Sequence, residues 1–172
     1  MTRYFAVTDD GHDDKDPLTV VRVVEGTGPY GVTQLNDDAA WVRTSLLDRI
    51  EAGEVPYRLR PITARKAARI RERREKKVAF RYFVLVRDSL PARDDDLTDT
   101  PTGVLREWDA SHGDGSYAET YTREGEWVHS NVRLDIERGS DIVTRIVPSD
   151  ATTVHQLIES WHRRWKPGVA ER

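Results

Sequence analysis

The chain has 172 residues, of which 37% are hydrophobic, and its 27 basic and 30 acidic side chains nearly cancel to a net charge of −3. This hydrophobic content is sufficient for a folded core and excludes a wholly disordered protein. The absence of cysteine excludes disulfides, thiolate-held metal sites and a cysteine nucleophile, and it favours a reducing compartment.

Localisation and source are predicted from three further features. No apolar run approaches the roughly 18 residues of a membrane helix, and the start of the chain, MTRYFAVTDD, lacks the hydrophobic core of a signal peptide. Arginine outnumbers lysine 22 to 5, a ratio typical of proteins from GC-rich bacterial genomes. We therefore expect a cytoplasmic bacterial protein that does not associate with a membrane.

A series of short patterns occurs twice in the same order along the chain. The separation between matched positions runs from 78 to 87 residues, as loops of unequal length would produce. The matched segments are 3–7 with 81–85, 20–22 with 104–106, Tyr30 with Tyr117, 41–42 with 127–128, 50–53 with 136–139 and 61–63 with 148–150. This series predicts a tandem duplication, with repeat units at 1–78 and 79–172 that pack together, either as two domains or as one compact domain. The alternative is that two unrelated α+β segments share such residues by chance.

Three strands are predicted at the start of each unit. Near-alternation of apolar residues identifies the first strand, around Tyr4 and around Tyr82. The second and third strands are predicted at 18–24 and 30–35 in the first unit, and at 103–109 and 117–122 in the second. Glycine-containing segments separate the second strand from the third in both units.

Two helices and a fourth strand complete each unit. Apolar positions common to both copies, 46 with 132 and 50 with 136, are four residues apart, which predicts a short helix that Gly53 and Gly139 end. A strand follows at 55–59 and at 142–146, and long helices begin near Thr63 and Ser149, the second of which Pro167 ends. The predicted fold is therefore α+β: a duplicated βββαβα unit whose antiparallel sheets are each covered by a helix, in a pseudo-two-fold arrangement.

The first long helix lies in a stretch of the chain with a large excess of positive charge. Residues 58–77 hold ten basic and two acidic side chains, which leaves the other 152 residues with a net charge of −11. At the helical period, six cations share a sector about 120° wide that faces away from the apolar stripe. They are Arg65, Lys66, Arg69, Arg73, Lys76 and Lys77. This basic face is the candidate partner- or phosphate-binding site.

Three interpretations of the basic face remain open. Cations at one-turn spacing are suited to a nucleic-acid backbone, but the face has no side chain that stacks on or reads a base, so such binding would be independent of sequence. The face could instead meet an acidic protein surface, on a partner or in the chain's own Asp-rich loops. In the third interpretation it is a solvated helix with intrahelical ion pairs such as Arg71 with Glu75.

Two acidic stretches predict solvated loops. They contain Asp9, Asp10, Asp13, Asp14 and Asp16 in the first unit, and Asp94, Asp95, Asp96 and Asp99 in the second. Neither has the glycine and glutamate spacing of a calcium-binding loop, so no metal or other cofactor is predicted. The five histidines form no pair with metal-ligand spacing.

One segment has the side chains that acid–base or hydrolytic chemistry requires. Glu107, Asp109 and His112 lie close together in the sequence EWDASHGDG. The same residue types are ordinary turn formers, and the matching segment of the first unit, EGTGPYG, has no histidine. A small hydrolase-like enzyme that uses these residues is therefore only the second alternative.

The sequence favours a non-enzymatic function. We expect an adaptor, inhibitor or regulatory protein that binds an unidentified protein partner through its charged surface, as a monomer or homodimer. Sequence-independent binding of nucleic acid through the helix at 63–77 is the first alternative. Trp41 and Trp127 are matched and predicted to be structural, whereas Trp161 and Trp165 are unmatched, so exposure of either would indicate a partner site.

Overall fold

The computed structural model of the chain describes residues 1–87 and 101–165, with the backbone alone at residues 29 and 30. These residues form two five-stranded antiparallel sheets and four α-helices, so the predicted α+β class with antiparallel sheets is confirmed. The chain divides into two compact units, Met1–Val78 and Ala79–Arg172, here called unit 1 and unit 2. The predicted acidic stretch at 94–99 and the predicted helix end at Pro167 lie outside the described residues.

Unit 1 is one antiparallel sheet with a helix against each face. Its elements are β1 (Thr2–Thr8), β2 (Thr19–Val24), a single 3-10 turn (Gly28–Gly31), β3 (Val32–Leu35), β4 (Trp41–Arg43), α1 (Leu46–Glu51), β5 (Arg58–Ile62) and α2 (Ala64–Glu75). The strand order is β4-β3-β2-β1-β5, so β1 and β2 occupy the centre. Alternation in β1 sends Ala6 to one face and Val7 to the other, and both side chains are fully buried.

The two faces of the unit 1 sheet carry separate apolar clusters. On one face, Val20 and Leu35 pack with Ala67 and Ile70 of α2, and Trp41 contacts this cluster. On the other face, the strand residues pack with the apolar side of α1. The members of this second cluster are Val7, Val21, Leu46, Val23, Val32, Leu47, Ile50, Val55, Tyr57 and Leu59. Each helix is therefore held by one face of the same sheet.

Unit 2 has the same order of elements along the chain. They are β6 (Arg81–Arg87), β7 (Pro101–Asp109), β8 (Ser116–Tyr121), β9 (Trp127–His129), α3 (Val132–Glu137), β10 (Thr144–Ser149) and α4 (Ala151–Trp165). The sheet order is β10-β6-β7-β8-β9, which is the order of unit 1 read from the other edge. Val154, Ile158 and Trp161 of α4 pack against Val84 and Val104 of the sheet.

The short helices end in the same way in both units. After α1, the N–H of Gly53 donates to the carbonyl of Ile50 at 3.1 Å, and the next N–H donates to the carbonyl of Arg49 at 2.9 Å. After α3, Gly139 and Ser140 make the equivalent two hydrogen bonds, at 3.0 and 2.8 Å. Such a paired cap needs a left-handed residue, and the φ angles are 72° at Gly53 and 71° at Gly139. The two predicted short helices and their glycine ends are confirmed.

The βββαβα prediction is wrong by one strand in each unit. Trp41 and Trp127 begin three-residue edge strands, β4 and β9, that precede the short helices, so the order is ββββαβα. A strand of three residues is too short for its alternation to be distinguished from a loop. The third strand of unit 1 begins at Val32 rather than near Tyr30, because Gly28–Gly31 form a 3-10 turn that Gly28 enters with a φ of 57°.

The last strand of each unit lies closer to the long helix than predicted. The segments 55–59 and 142–146 were expected to be strands, but β5 spans Arg58–Ile62 and β10 spans Thr144–Ser149. In unit 1 the apolar alternation is real but has another cause. Val55 and Tyr57 precede the strand and pack against the α1 face of the sheet from a loop.

We expect Gly53→Ala and Gly139→Ala each to lower the free energy of unfolding by about 1 kcal/mol, because alanine is strained at a positive φ. An added Cβ meets no atom within 4 Å at either site, so a clash does not contribute. Chemical denaturation measures the effect. Gly115→Ala is the control: the φ of Gly115 is not positive and its Cβ would lie 4.0 Å from Ala110, so stability should not fall. Equal losses at all three positions would contradict the explanation.

Candidate binding surface

Helix α2 is oriented by a small apolar contact and by its N-terminal cap. Ala67 and Ile70 are 1% and 4% exposed against the sheet, and they fix which side of the helix faces inward. The Thr63 hydroxyl accepts a hydrogen bond from the backbone N–H of Lys66 at 3.2 Å, as an N-cap side chain does. The cations on the opposite side of α2 are consequently directed outward, as the helical period predicts.

Arg74 is a third anchor of α2 rather than a member of its outer face. Its guanidinium donates to the carbonyls of Leu35 at 2.7 Å, Asn36 at 2.8 Å and Leu18 at 3.0 Å. Burial lowers the pKa of this guanidinium from its ordinary value. The side chain therefore joins the end of α2 to carbonyl groups at the end of β3 and ahead of β2, and its role is structural.

The Asp-rich loop at 9–16, here called the acidic loop, contacts one edge of the basic face. The Asp14 carboxylate lies 2.6 Å from the Lys66 ammonium, and Arg73 donates to the carbonyl oxygen of Lys15 at 2.7 Å. The Lys66 hydrogen bond is the main cause of a lowered Asp14 pKa. This contact is therefore retained above the ordinary pKa of aspartate and is lost as the pH falls through the lowered folded value. The interpretation in which the basic face meets the chain's own loop is supported for these two cations.

Three cations on the other edge of the basic face have no such contact. Arg65 and Arg69 on α2 and Lys76 at its C-cap are exposed and fall within about 40° of one another at the helical period. Among residues 1–87 and 101–165, no hydrogen bond or ion pair is made by their side chains. Lys77 is also exposed, one position beyond the C-cap. The predicted basic face is thus divided into an edge contacted by the acidic loop and an edge directed to solvent.

A shallow groove of about 670 Å³ runs along this divided face. Lys15 contributes to its wall from the acidic loop, and Ile70 provides an apolar lining residue. The other lining residues are Thr63, Arg65, Lys66, Arg69, Glu72, Arg73 and Lys76. Five of the six predicted site residues line one groove, and its dominant charge is positive. Chemically, such a groove is suited to a ligand that presents carboxylates or phosphates.

Two of the three alternative catalytic residues accept hydrogen bonds from arginines that are distant in the sequence. Glu107 accepts two hydrogen bonds from Arg133, at 2.7 and 3.0 Å. Asp109 accepts two from Arg81, at 2.7 and 2.8 Å, and these bonds lower the pKa of its carboxyl. His112 lies exposed in the turn between β7 and β8. Within the described residues, no hydrogen bond joins it to either carboxylate.

Unit 2 also contains a buried ion pair inside an aromatic cluster. Arg106 and Glu119 face each other across β7 and β8, with side chains 5% and 6% exposed and a closest N–O distance of 2.7 Å. The Arg106 guanidinium lies 4.4 Å from the ring centre of Phe80 and 4.5 Å from that of Trp127. Its burial is explained by Glu119 and the two rings, which the sequence does not bring together.

Unit 1 repeats part of this arrangement at equivalent register. Arg22 faces Thr33 across β2 and β3, and its guanidinium lies 4.6 Å from the ring centre of Trp41. Both matched tryptophans therefore carry an arginine on the face that the long helix covers. Trp161 is buried in unit 2, and its ring stacks with that of Trp165 at 5.8 Å between centres. The condition for a partner site at Trp161, exposure to solvent, is not met.

Neither similarity to known proteins nor a metal or membrane feature of the described residues assigns a function to the chain. No protein-family model, no curated protein and no solved structure matches the chain. In residues 1–87 and 101–165, no group of three histidine, aspartate or glutamate side chains is arranged to hold a metal ion. None of the helices described above is long and apolar enough to span a bilayer.

We expect Glu119→Gln to lower the free energy of unfolding by about 3 kcal/mol, because it leaves a buried guanidinium without its counter-charge. Thermal or chemical unfolding measures the change. Asp109→Asn is a matched control that removes the same charge from another Arg–carboxylate pair, but one exposed to water, so its unfolding curve should stay close to that of the wild type. If the two variants are equally stable, burial of the Arg106–Glu119 pair does not determine its contribution to stability.

Proposed function

We propose that this chain is a non-enzymatic interaction protein, of the adaptor or inhibitor type, that binds an acidic segment of a protein partner in the groove along α2. One observation carries the proposal: Arg65, Arg69 and Lys76 form an exposed stripe with no ionic partner among the described residues. Charge complementarity on such a surface increases the rate and specificity of association. Carboxylates on an unidentified protein partner complement the positive charge of this stripe.

The surroundings of α2 favour a protein segment over a nucleic-acid backbone. The acidic loop next to the groove contains five aspartates and one lysine. A duplex presents phosphates over a wide surface, so its backbone would meet this negative charge as well as the cations. A single acidic peptide segment is narrow enough to follow the stripe without covering the whole loop. Binding of nucleic acid is accordingly the competing outcome of the test below.

We also propose that units 1 and 2 arose by duplication within a cytoplasmic bacterial protein. The common strand order, the matched glycine caps and the matched Arg–Trp contacts support the duplication. In unit 2 the long helix carries Val154, Ile158 and Trp161 against its sheet, and in unit 1 it carries Ala67, Ile70 and Arg74. On this view, α2 gave up apolar contact area as it acquired its charged outer face.

The proposal predicts that the double variant Arg65→Glu, Arg69→Glu binds a short fluorescent oligoglutamate peptide at least about tenfold more weakly than the wild type, because two cations of the stripe are reversed. Fluorescence anisotropy at low salt measures the affinity, and moderate salt should weaken wild-type binding. The matched control, Arg138→Glu with Arg163→Glu, makes the same charge change at exposed positions outside the groove. It should stay within about twofold of the wild type.

Duplex DNA is the second probe in the same experiment. Tighter binding of DNA than of oligoglutamate, lost in the Arg65, Arg69 variant but not in the control, would replace the proposal with backbone binding. If the wild type binds neither probe at low salt, the face is a solvated helix and the proposal fails. If both double variants lose oligoglutamate binding equally, binding follows net charge and the groove is not the site.

A further inference from the structure

The acidic loop already places a carboxylate where the proposed partner would place one. Asp14 lies 2.6 Å from the Lys66 ammonium, and Lys66 lines the same groove as Arg65 and Arg69. The neighbouring carbonyl of Lys15 accepts from Arg73, another lining residue, at 2.7 Å. The loop therefore makes with the groove the two kinds of contact that an acidic peptide makes, a carboxylate on an ammonium and a backbone carbonyl on a guanidinium.

The loop is ordered by hydrogen bonds of its own, which hold Asp14 near Lys66. The Asp13 carboxylate accepts from the backbone N–H groups of Lys15 at 2.8 Å and Asp16 at 3.0 Å. Asp9 accepts from the N–H of Gly11 at 2.9 Å and contacts His12 Nδ1 at 2.8 Å. These turns fix the loop backbone on either side of the Asp14 carboxylate, which reduces the entropy lost when it meets Lys66.

The contact is also weak enough to be exchanged. The side chains of Lys66 and Asp14 remain 34% and 42% exposed, and ion pairs at that exposure contribute little to stability and are screened by salt. The second ionic contact of the loop, Arg58 with Asp10, is longer at 3.5 Å and almost fully exposed. A ligand with several carboxylates can therefore compete for Lys66 without unfolding the loop or the sheet.

We propose that the acidic loop is an intramolecular competitor: it occupies Lys66 and Arg73, and an acidic partner segment binds fully only when it displaces Asp14 from the groove. This inference rests on the proposed function and adds its regulation. The loop lowers the apparent affinity by the fraction of molecules in which it covers the groove. It also excludes ligands with too few carboxylates to replace both contacts.

Asp14→Asn is expected to bind oligoglutamate about threefold more tightly than the wild type at low salt. The gain is expected because the substitution removes a competitor that covers the groove in most molecules. Asp10→Asn is the matched control. It removes the same charge from the same loop but leaves the Asp14–Lys66 contact intact, so it reports the general electrostatic effect. The gain should be specific to Asp14→Asn and should disappear when Lys66 is replaced by Gln in the same chain.

A second measurement tests the contact without any partner. NMR titration of the Asp14 carboxyl should give a pKa below the ordinary aspartate value in the wild type, and the pKa should rise towards that value in Lys66→Gln. If it does not, the loop does not hold Lys66 and the inference is wrong even where oligoglutamate binds. If the pKa behaves as expected but Asp14→Asn and Asp10→Asn bind equally, competition is excluded and the proposed function stands. If no variant binds, the proposed function fails and its regulation fails with it.

Discussion

The apolar contact between α2 and its sheet is small, and the charged surface of unit 1 depends on this constraint. Only Ala67 and Ile70 are buried from the helix, so hydrophobic burial alone would hold it weakly. Arg74 supplements that contact by donating to three backbone carbonyls at the ends of neighbouring segments. Because Arg74 and the two apolar residues suffice to hold α2 against the sheet, the other sides of the helix can carry charged residues. Helix α4 differs, because three larger apolar side chains, Val154, Ile158 and Trp161, hold it against its sheet.

Partial neutralisation of α2 by the acidic loop follows from the same arrangement. A helix with eight cations between positions 65 and 77 repels itself unless counter-charge is near. Glu75 supplies it to Arg71 within the helix. On one edge of the basic face, Asp14 supplies it to Lys66, and the Lys15 carbonyl accepts a hydrogen bond from Arg73. Arg65 and Arg69 on the other edge have no ion pair within the described residues. The division of the face is thus a consequence of where the loop between β1 and β2 can reach, and it gives the groove one occupied side and one open side.

Much of the backbone could be predicted from sequence because local patterns determine it. The i, i+4 spacing at positions 46 and 50, with Gly53 behind it, specifies a short helix and its end without reference to the rest of the chain. The outward direction of Arg65 and Arg69 follows from the helical period in the same way. The three-residue strands at Trp41 and Trp127 could not be predicted, since they are too short for alternation to be informative.

The paired contacts could not be predicted because they depend on strand register and loop path. Asp14 and Lys66 are 52 residues apart, and Glu107 and Arg133 are 26 apart. Arg106 shows the effect most clearly, since a charged side chain is by itself expected on the solvent side. Its neighbours on the same face of the sheet, Glu119 and the ring of Trp127, reverse that expectation once the register is known. The segregation of charge is visible in the sequence, but the partner of each charged side chain can be identified only from the fold.

The two units use equivalent positions for different chemistry. Val23 of β2 and Leu47 of α1 belong to an apolar cluster of unit 1. By strand register and helix position, the equivalents in unit 2 are Glu107 and Arg133, which form a hydrogen-bonded ion pair. An apolar contact and a satisfied Arg–Glu pair can both fill the space between a sheet and a short helix, whereas a lone carboxylate there would be strongly destabilising. Arg133 therefore accounts for the burial of Glu107, and the closeness of Glu107 to Asp109 in the sequence does not imply a common site.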